Sequence, residues 1–155
     1  MKAMRRRYFS LTAGLLLAAL LAVCHLSAAS GGEVTQATLG SGQWLLTEIT
    51  GQKIKTNAER PAYLVFGEGN RMSGSGGCNR LAGEYRLASG RIHFSRMIST
   101  KMACLDMRAE DALLAALPTV TSCSLSESGD VLTLYNDDGV VVAVLRRDYS
   151  SRESR

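Results

Sequence analysis

The amino-acid sequence predicts a β-rich α+β fold: a curled antiparallel sheet or partly open barrel of about seven to eight short strands with one helix. Three observations predict it. Apolar residues recur in short runs with two-residue alternation, bounded by Gly, Ser-Gly or Asp-Gly. A single segment carries helical apolar spacing, and nowhere does a strand–helix–strand alternation call for a parallel sheet.

Gln43–Thr50 is the first expected strand, with Trp44, Leu46 and Glu48 on one face and Leu45, Thr47 and Ile49 on the other. Gly51 breaks it, Lys53–Pro61 is a polar connection, and Ala62–Phe66 is the second strand. The stretch Ser73–Tyr85 organises the rest. Its glycine density requires positive φ or close backbone approach, which reads as a kinked, bulged passage through a sheet. Arg86–Phe94 is a hairpin closing on Ser89-Gly90.

Asp106–Leu117 is the helix, capped by Asp106 and stopped by Pro118, with Ala109, Ala112, Leu113, Ala116 and Leu117 on its apolar face. Strands at Val120–Leu125, Val131–Tyr135 and Val140–Leu145 follow. The Asp138-Gly139 pair between the last two is the strongest hairpin signal in the chain.

The N-terminus reads as an export signal. Lys2, Arg5, Arg6 and Arg7 form a basic start, Leu11–Val23 is an apolar run, and Ser27-Ala28-Ala29 offers small residues before a cut at Ser30. A second cut is offered by Leu21-Ala22-Val23-Cys24, which looks like a lipobox and makes Cys24 the candidate lipidation site. The expected organisation is therefore a signal at 1–29 (1–23 for a lipoprotein), a flexible linker at 30–42, the domain at 43–147 and a disordered tail at 148–155. Localisation is expected to be periplasmic or lipid-anchored in the cell envelope.

Charge excludes one class. The formal net charge is +4, but the four N-terminal cations supply all of it, and from Ser30 onward basic and acidic residues number fourteen each. Along the chain those cations are scattered singly between acids, with no stripe and little aromatic interleaving, so no nucleic acid is expected as partner.

Gly76-Gly77-Cys78-Asn79-Arg80, Gly83-Glu84-Tyr85 and Ser99-Thr100-Lys101-Met102-Ala103-Cys104, followed by Glu110 in a short apolar helix, resemble the META-domain family, also called HslJ-like. Trp44-Leu45-Leu46 and Leu132-Thr133-Leu134 fall where that family has its first and late strands. The resemblance spans Gly42 to Arg146. It implies a compact β-rich domain associated with envelope stress tolerance, and it carries over no catalytic residue. The cysteines of its two motifs, Cys78 and Cys104, are expected to form a disulfide, leaving Cys123 free on a strand.

The chemistry-bearing residues support binding over catalysis. His93 is the one histidine after the signal and alternates outward between Ile92 and Phe94. No CxxC spacing or histidine pair points to a metal, and the glycine stretch lacks the lysine and hydroxyl of a phosphate loop. No catalytic residue, metal or cofactor is expected. Asp137 and Asp138 belong to a turn. An interaction surface is expected at Asn79, Arg80 and Lys101, aimed outward by the glycine-rich bulge and brought together by the Cys78–Cys104 bridge. The partner would be an envelope protein or a small apolar ligand, with the membrane touched only through an N-terminal lipid. The alternatives are an apolar-ligand carrier, a lipoprotein escorting a secretion partner, and a thiol enzyme using Cys78.

Overall fold

The computed structural model describes residues 32–55 and 59–149. The expected signal, the candidate site Cys24 and most of the expected tail lie outside them. The described chain contains α1 (Gln36–Leu39), β1 (Gln43–Ile49), β2 (Gln52–Lys53), β3 (Ala62–Phe66), β4 (Arg71–Gly76), β5 (Arg80–Ala88), β6 (Arg91–Ser99), α2 (Arg108–Ala116), β7 (Ser122–Leu125), β8 (Val131–Tyr135) and β9 (Val141–Asp148).

All strand pairs are antiparallel, and β1 pairs with β9, so the sheet closes into an eight-stranded barrel with β2 as a short extra strand on β1. The curl expected from the sequence thus closes completely. Its weakest join lies between β6 and β7, where the ladder holds a single pair, Arg91 with Ser122. Two flanking bonds support it: Ile92 N–H to the Thr121 carbonyl (3.1 Å) and Cys123 N–H to the Gly90 carbonyl (3.0 Å). The chain between these strands carries α2, which contacts β1, β4 and β9.

Alternation builds the interior. Trp44 and Leu46 of β1, Ala62, Leu64 and Phe66 of β3, Tyr85 of β5, Ile92 and Phe94 of β6 and Leu132 and Leu134 of β8 are all buried in one core. Phe66 meets the Tyr85 ring edge-on, with centroids 5.1 Å apart. Burying a side chain of this kind contributes about 1.5–3 kcal/mol, so the alternating strands supply the main driving force.

Three expectations are corrected. Glu48 does not share the inner face of Trp44 and Leu46. A bulge at Thr47, whose hydroxyl donates to the Val144 carbonyl (3.0 Å), switches the parity and puts Ile49 inside. The expected linker at 30–42 contains α1, capped by Thr35, and Leu39 is fully buried. The indole N–H of Trp44 donates to the Leu39 carbonyl (2.8 Å), which anchors this helical turn to the barrel. Ser73–Tyr85 is a β4–β5 hairpin rather than one bulged strand. The expected bulge is within that stretch, at Gly83 on β5, which faces both Arg96 and Met97 across the ladder, and not at the glycines before Cys78.

The helix begins two residues later than expected. Asp106 precedes it and accepts from the Arg108 N–H (3.1 Å) and guanidinium (2.8 Å), which holds its carboxyl down to about 2.

Candidate functional site

The β4–β5 hairpin places Cys78 and Asn79 at its tip, and α2 starts against it because of a glycine. A Cβ on Gly76 would stand 2.6 Å from Glu110 Cβ and 2.5 Å from its Cγ, so only glycine lets the helix approach this strand. Gly77, at φ +102°, then turns the chain.

Asn79 is 1% exposed, and Glu110, the third residue of α2, is 2% exposed. Glu110 accepts from the Asn79 backbone N–H (2.6 Å) with one carboxylate oxygen and from Asn79 Nδ2 (2.8 Å) with the other. Nδ2 also donates to the Met102 carbonyl (3.2 Å), while Oδ1 accepts from the Thr100 hydroxyl (2.8 Å) and the Met102 N–H (2.7 Å). The Asn79 carbonyl takes the Gly76 N–H (3.0 Å). An amide offers two donors and two acceptor positions, and here all four are used.

A disulfide joins Cys78 to Cys104, with Cα atoms 6.1 Å apart. The segment after β6 is therefore fastened at Thr100, Met102 and Cys104. At and just past those fastenings its side chains point to solvent: Lys101 is exposed, Met102 is 53% exposed, and Leu105, next to Cys104, is fully exposed.

The expected surface is thus split. Arg80 and Lys101 are exposed, but Asn79 is not part of any surface, because its amide is consumed by the buried network. Sequence reasoning missed the partnership of Glu110 with Asn79. The signal was available: Glu110 stands three residues before Leu113 and six before Ala116, on the helix face that is otherwise apolar.

Elsewhere, His93 is exposed on β6, and Asp137 and Asp138 lie in the β8–β9 turn. Cys123 is free and buried. Its thiol lies 3.7 Å from the Gly90 carbonyl, to which it donates, and burial pushes its pKa up to about 11. Among the described residues no group of three or more His, Cys, Asp or Glu side chains converges as a metal site.

Two open grooves border the barrel wall. One of about 610 Å³ adjoins the disulfide and is lined by Ile54, Arg60, Gly77, Cys104 and Leu105 among others. The other, of about 740 Å³, runs between α2 and the β1–β9 wall, lined by Ala112, Ala115, Ala116, Val140 and Val142 with polar residues at its margin.

The META domain family model matches residues 37–149, which takes in every element from α1's second residue to the end of β9. This chain belongs to the META-domain family. Two solved structures share the fold seen here. An NMR structure of a protein from Burkholderia xenovorans is 24% identical, covers 76% of this chain and 95% of that one, and superposes with a TM-score of 0.59. A second NMR structure, 23% identical, covers 74% of this chain and 96% of that one with a TM-score of 0.60. A search of curated proteins finds no match. In this META domain, the two cysteine motifs meet as one fastening between the β4–β5 hairpin, the segment after β6 and α2.

Proposed function

We propose that this META-domain protein is an exported, non-enzymatic binding protein of the bacterial envelope, serving stress tolerance and recognising a protein partner through the segment 99–107. One observation carries the reading. Met102 and Leu105 are held out to solvent on a backbone fixed by a disulfide and by the saturated Asn79 amide. Exposing large apolar side chains is unfavourable unless something covers them. Fixing them beforehand lowers the ordering entropy that a partner must offset. Arg80 and Lys101 flank these residues and would supply the polar rim. Export rests on the basic and apolar N-terminal segment, and the oxidised cysteine pair suits the compartment it implies.

The test is complementation under envelope stress. Met102→Ser with Leu105→Ser should leave the melting temperature within a few degrees of the parent and fail to complement a deletion strain. Full complementation by the folded double variant would defeat the reading. Intact-mass analysis of protein from the native host tests export, with a chain starting at Ser30, or a lipidated one starting at Cys24, as the expected result.

A second reading, the apolar-ligand carrier, is favoured by the alanine- and valine-lined groove beside α2. Filling it with Ala115→Trp should then abolish complementation while the Met102/Leu105 variant retains it.

A further inference from the structure

The cations that look scattered along the chain are gathered by the sheet. Strands β4, β5 and β6 are neighbours, and they turn Arg71, Arg80, Arg86, Arg91 and Arg96 to solvent, all exposed. Their one acid is Glu84, and it already pairs with Arg96 at 2.8 Å. The side chains of Arg71, Arg80, Arg86 and Arg91 have no hydrogen-bond or ion-pair partner among the described residues. Register sets their spacing. Arg86 lies opposite His93 and Arg91 opposite Ala88, so Arg86 and Arg91 are diagonal neighbours about 7–8 Å apart. Arg71 lies opposite Glu84, two residues from Arg86 on the same face. The chain from Ser30 onward has equal numbers of acids and bases, so this wall reflects segregation of charge, not an excess.

The floor between these arginines is made of small residues: Ser73, Ala82, Ala88 and Ser95. Its one exposed ring is the His93 imidazole, opposite Arg86, which leaves no row of rings on which successive bases could stack, as in single-stranded nucleic-acid sites. The floor also lacks a large side chain seated in a pocket, the usual centre of a protein–protein contact. Long, adjustable guanidinium groups over a smooth floor fit phosphates that can move to meet them, and guanidinium binds phosphate by paired hydrogen bonds. The one bulky apolar side chain on the wall, Ile98, lies opposite Ala82 and is 66% exposed. Beside a row of cations, such a side chain suits the boundary between headgroups and acyl chains.

We propose that the outer face of β4–β6 docks on an anionic phospholipid bilayer, its arginines on lipid phosphates and Ile98 at the acyl boundary. The inference is independent of Met102 and Leu105, which follow the wall and are not part of it.

Vesicle flotation tests it, using the full chain as recovered from its native host. Binding is compared on phosphatidylcholine vesicles with and without phosphatidylglycerol. An N-terminal apolar or lipid anchor partitions into both, so the ratio of the two affinities isolates the wall. We expect a preference of about a hundredfold or more for the anionic vesicles at low salt, shrinking as salt rises. Arg71→Gln, Arg86→Gln and Arg91→Gln together should lower that preference by about a hundredfold, since each cation near an anionic leaflet contributes about fivefold. The matching triple lysine variant should keep most of it. Equal binding of the parent chain to both vesicles would overturn the proposal, as would an unchanged preference in a natively folded glutamine variant. Should the glutamine variant fail to fold, the parent's salt dependence and the lysine variant still decide. Release of the protein from vesicles by duplex DNA or polyglutamate below the lipid phosphate concentration would also overturn it, assigning the wall to that macromolecule.

Discussion

Asn79 illustrates how much one amide can hold. Replacing it by aspartate keeps the shape and removes both Nδ2 donors, setting a carboxylate oxygen against Glu110 and the Met102 carbonyl in a water-poor site. A hydrogen bond to a charged group contributes about 1.5–3 kcal/mol, and here acceptors would face each other where donors stood, so we expect Asn79→Asp to lower unfolding stability by about 3 kcal/mol or more in urea titration. Adding Glu110→Gln should recover part of the loss, because the new amide can donate to the aspartate. No recovery in the double variant would mean that the Glu110 contact contributes little. Cys123 makes the opposite case. With its pKa at about 11, roughly a thousandth of the thiol is ionised at pH 8. Its alkylation by iodoacetamide, followed by mass spectrometry, should be slow in native protein and rise about tenfold per pH unit up to pH 11. Fast labelling after urea, with no label on Cys78 or Cys104, completes the expected pattern.

At the scale of elements, the disulfide and the Asn79 amide fasten the same segment independently. Closing a loop with a sequence separation of 26 stabilises by about 3.5 kcal/mol on the chain-entropy model. Replacing Cys78 and Cys104 by serine should cost about that much. Hydrogen exchange should then show the Met102 amide still protected, since it donates to Asn79 Oδ1, while the backbone around Cys104 loosens. Loss of protection at Met102 as well would mean that the bridge alone orders the segment. Gly76→Ala tests how the helix is seated. Its new Cβ has backbone-near atoms of Glu110 in the way, so overpacking of about 1–3 kcal/mol is expected, read by thermal melting.

The elements that were legible in the sequence are those with local causes. Ser89 and Gly90 both take positive φ, as a two-residue hairpin demands, and Gly139 does so in the Asp138-Gly139 turn. Strand β4 was harder, because its inward positions after Met72 are Gly74 and Gly76, which carry no hydrophobic signal. The side assignment of β1 failed after Leu46 because a bulge changes parity without changing composition. The candidate site was half legible. The cysteine motifs stand out as motifs, but the burial of Asn79 depends on Glu110, thirty-one residues away, and the arginine wall exists only once the register is known.

The described residues form a meander whose first and last long strands meet. β9 is held tightly: Arg147 stacks over the Trp44 ring at 4.5 Å and donates to the carbonyls of Gly129 (2.8 Å) and Thr38 (3.2 Å). The join between β6 and β7 has far less holding it. Native-state hydrogen exchange should therefore find the Ile92 and Cys123 amides opening at lower free energy than the ladder between β8 and β9. Equal protection at both joins would show that the barrel opens only as a unit.

The pairing of β1 with β9 also fixes when the protein can become itself. Every other strand of the ring can pair with one made just before it, but β1 keeps an open edge until residues 141–148 arrive. A chain growing from its N-terminus therefore stays an unsealed ribbon until β9 is added. Ending it at Val140 should yield a protein without cooperative melting, however complete its first eight strands.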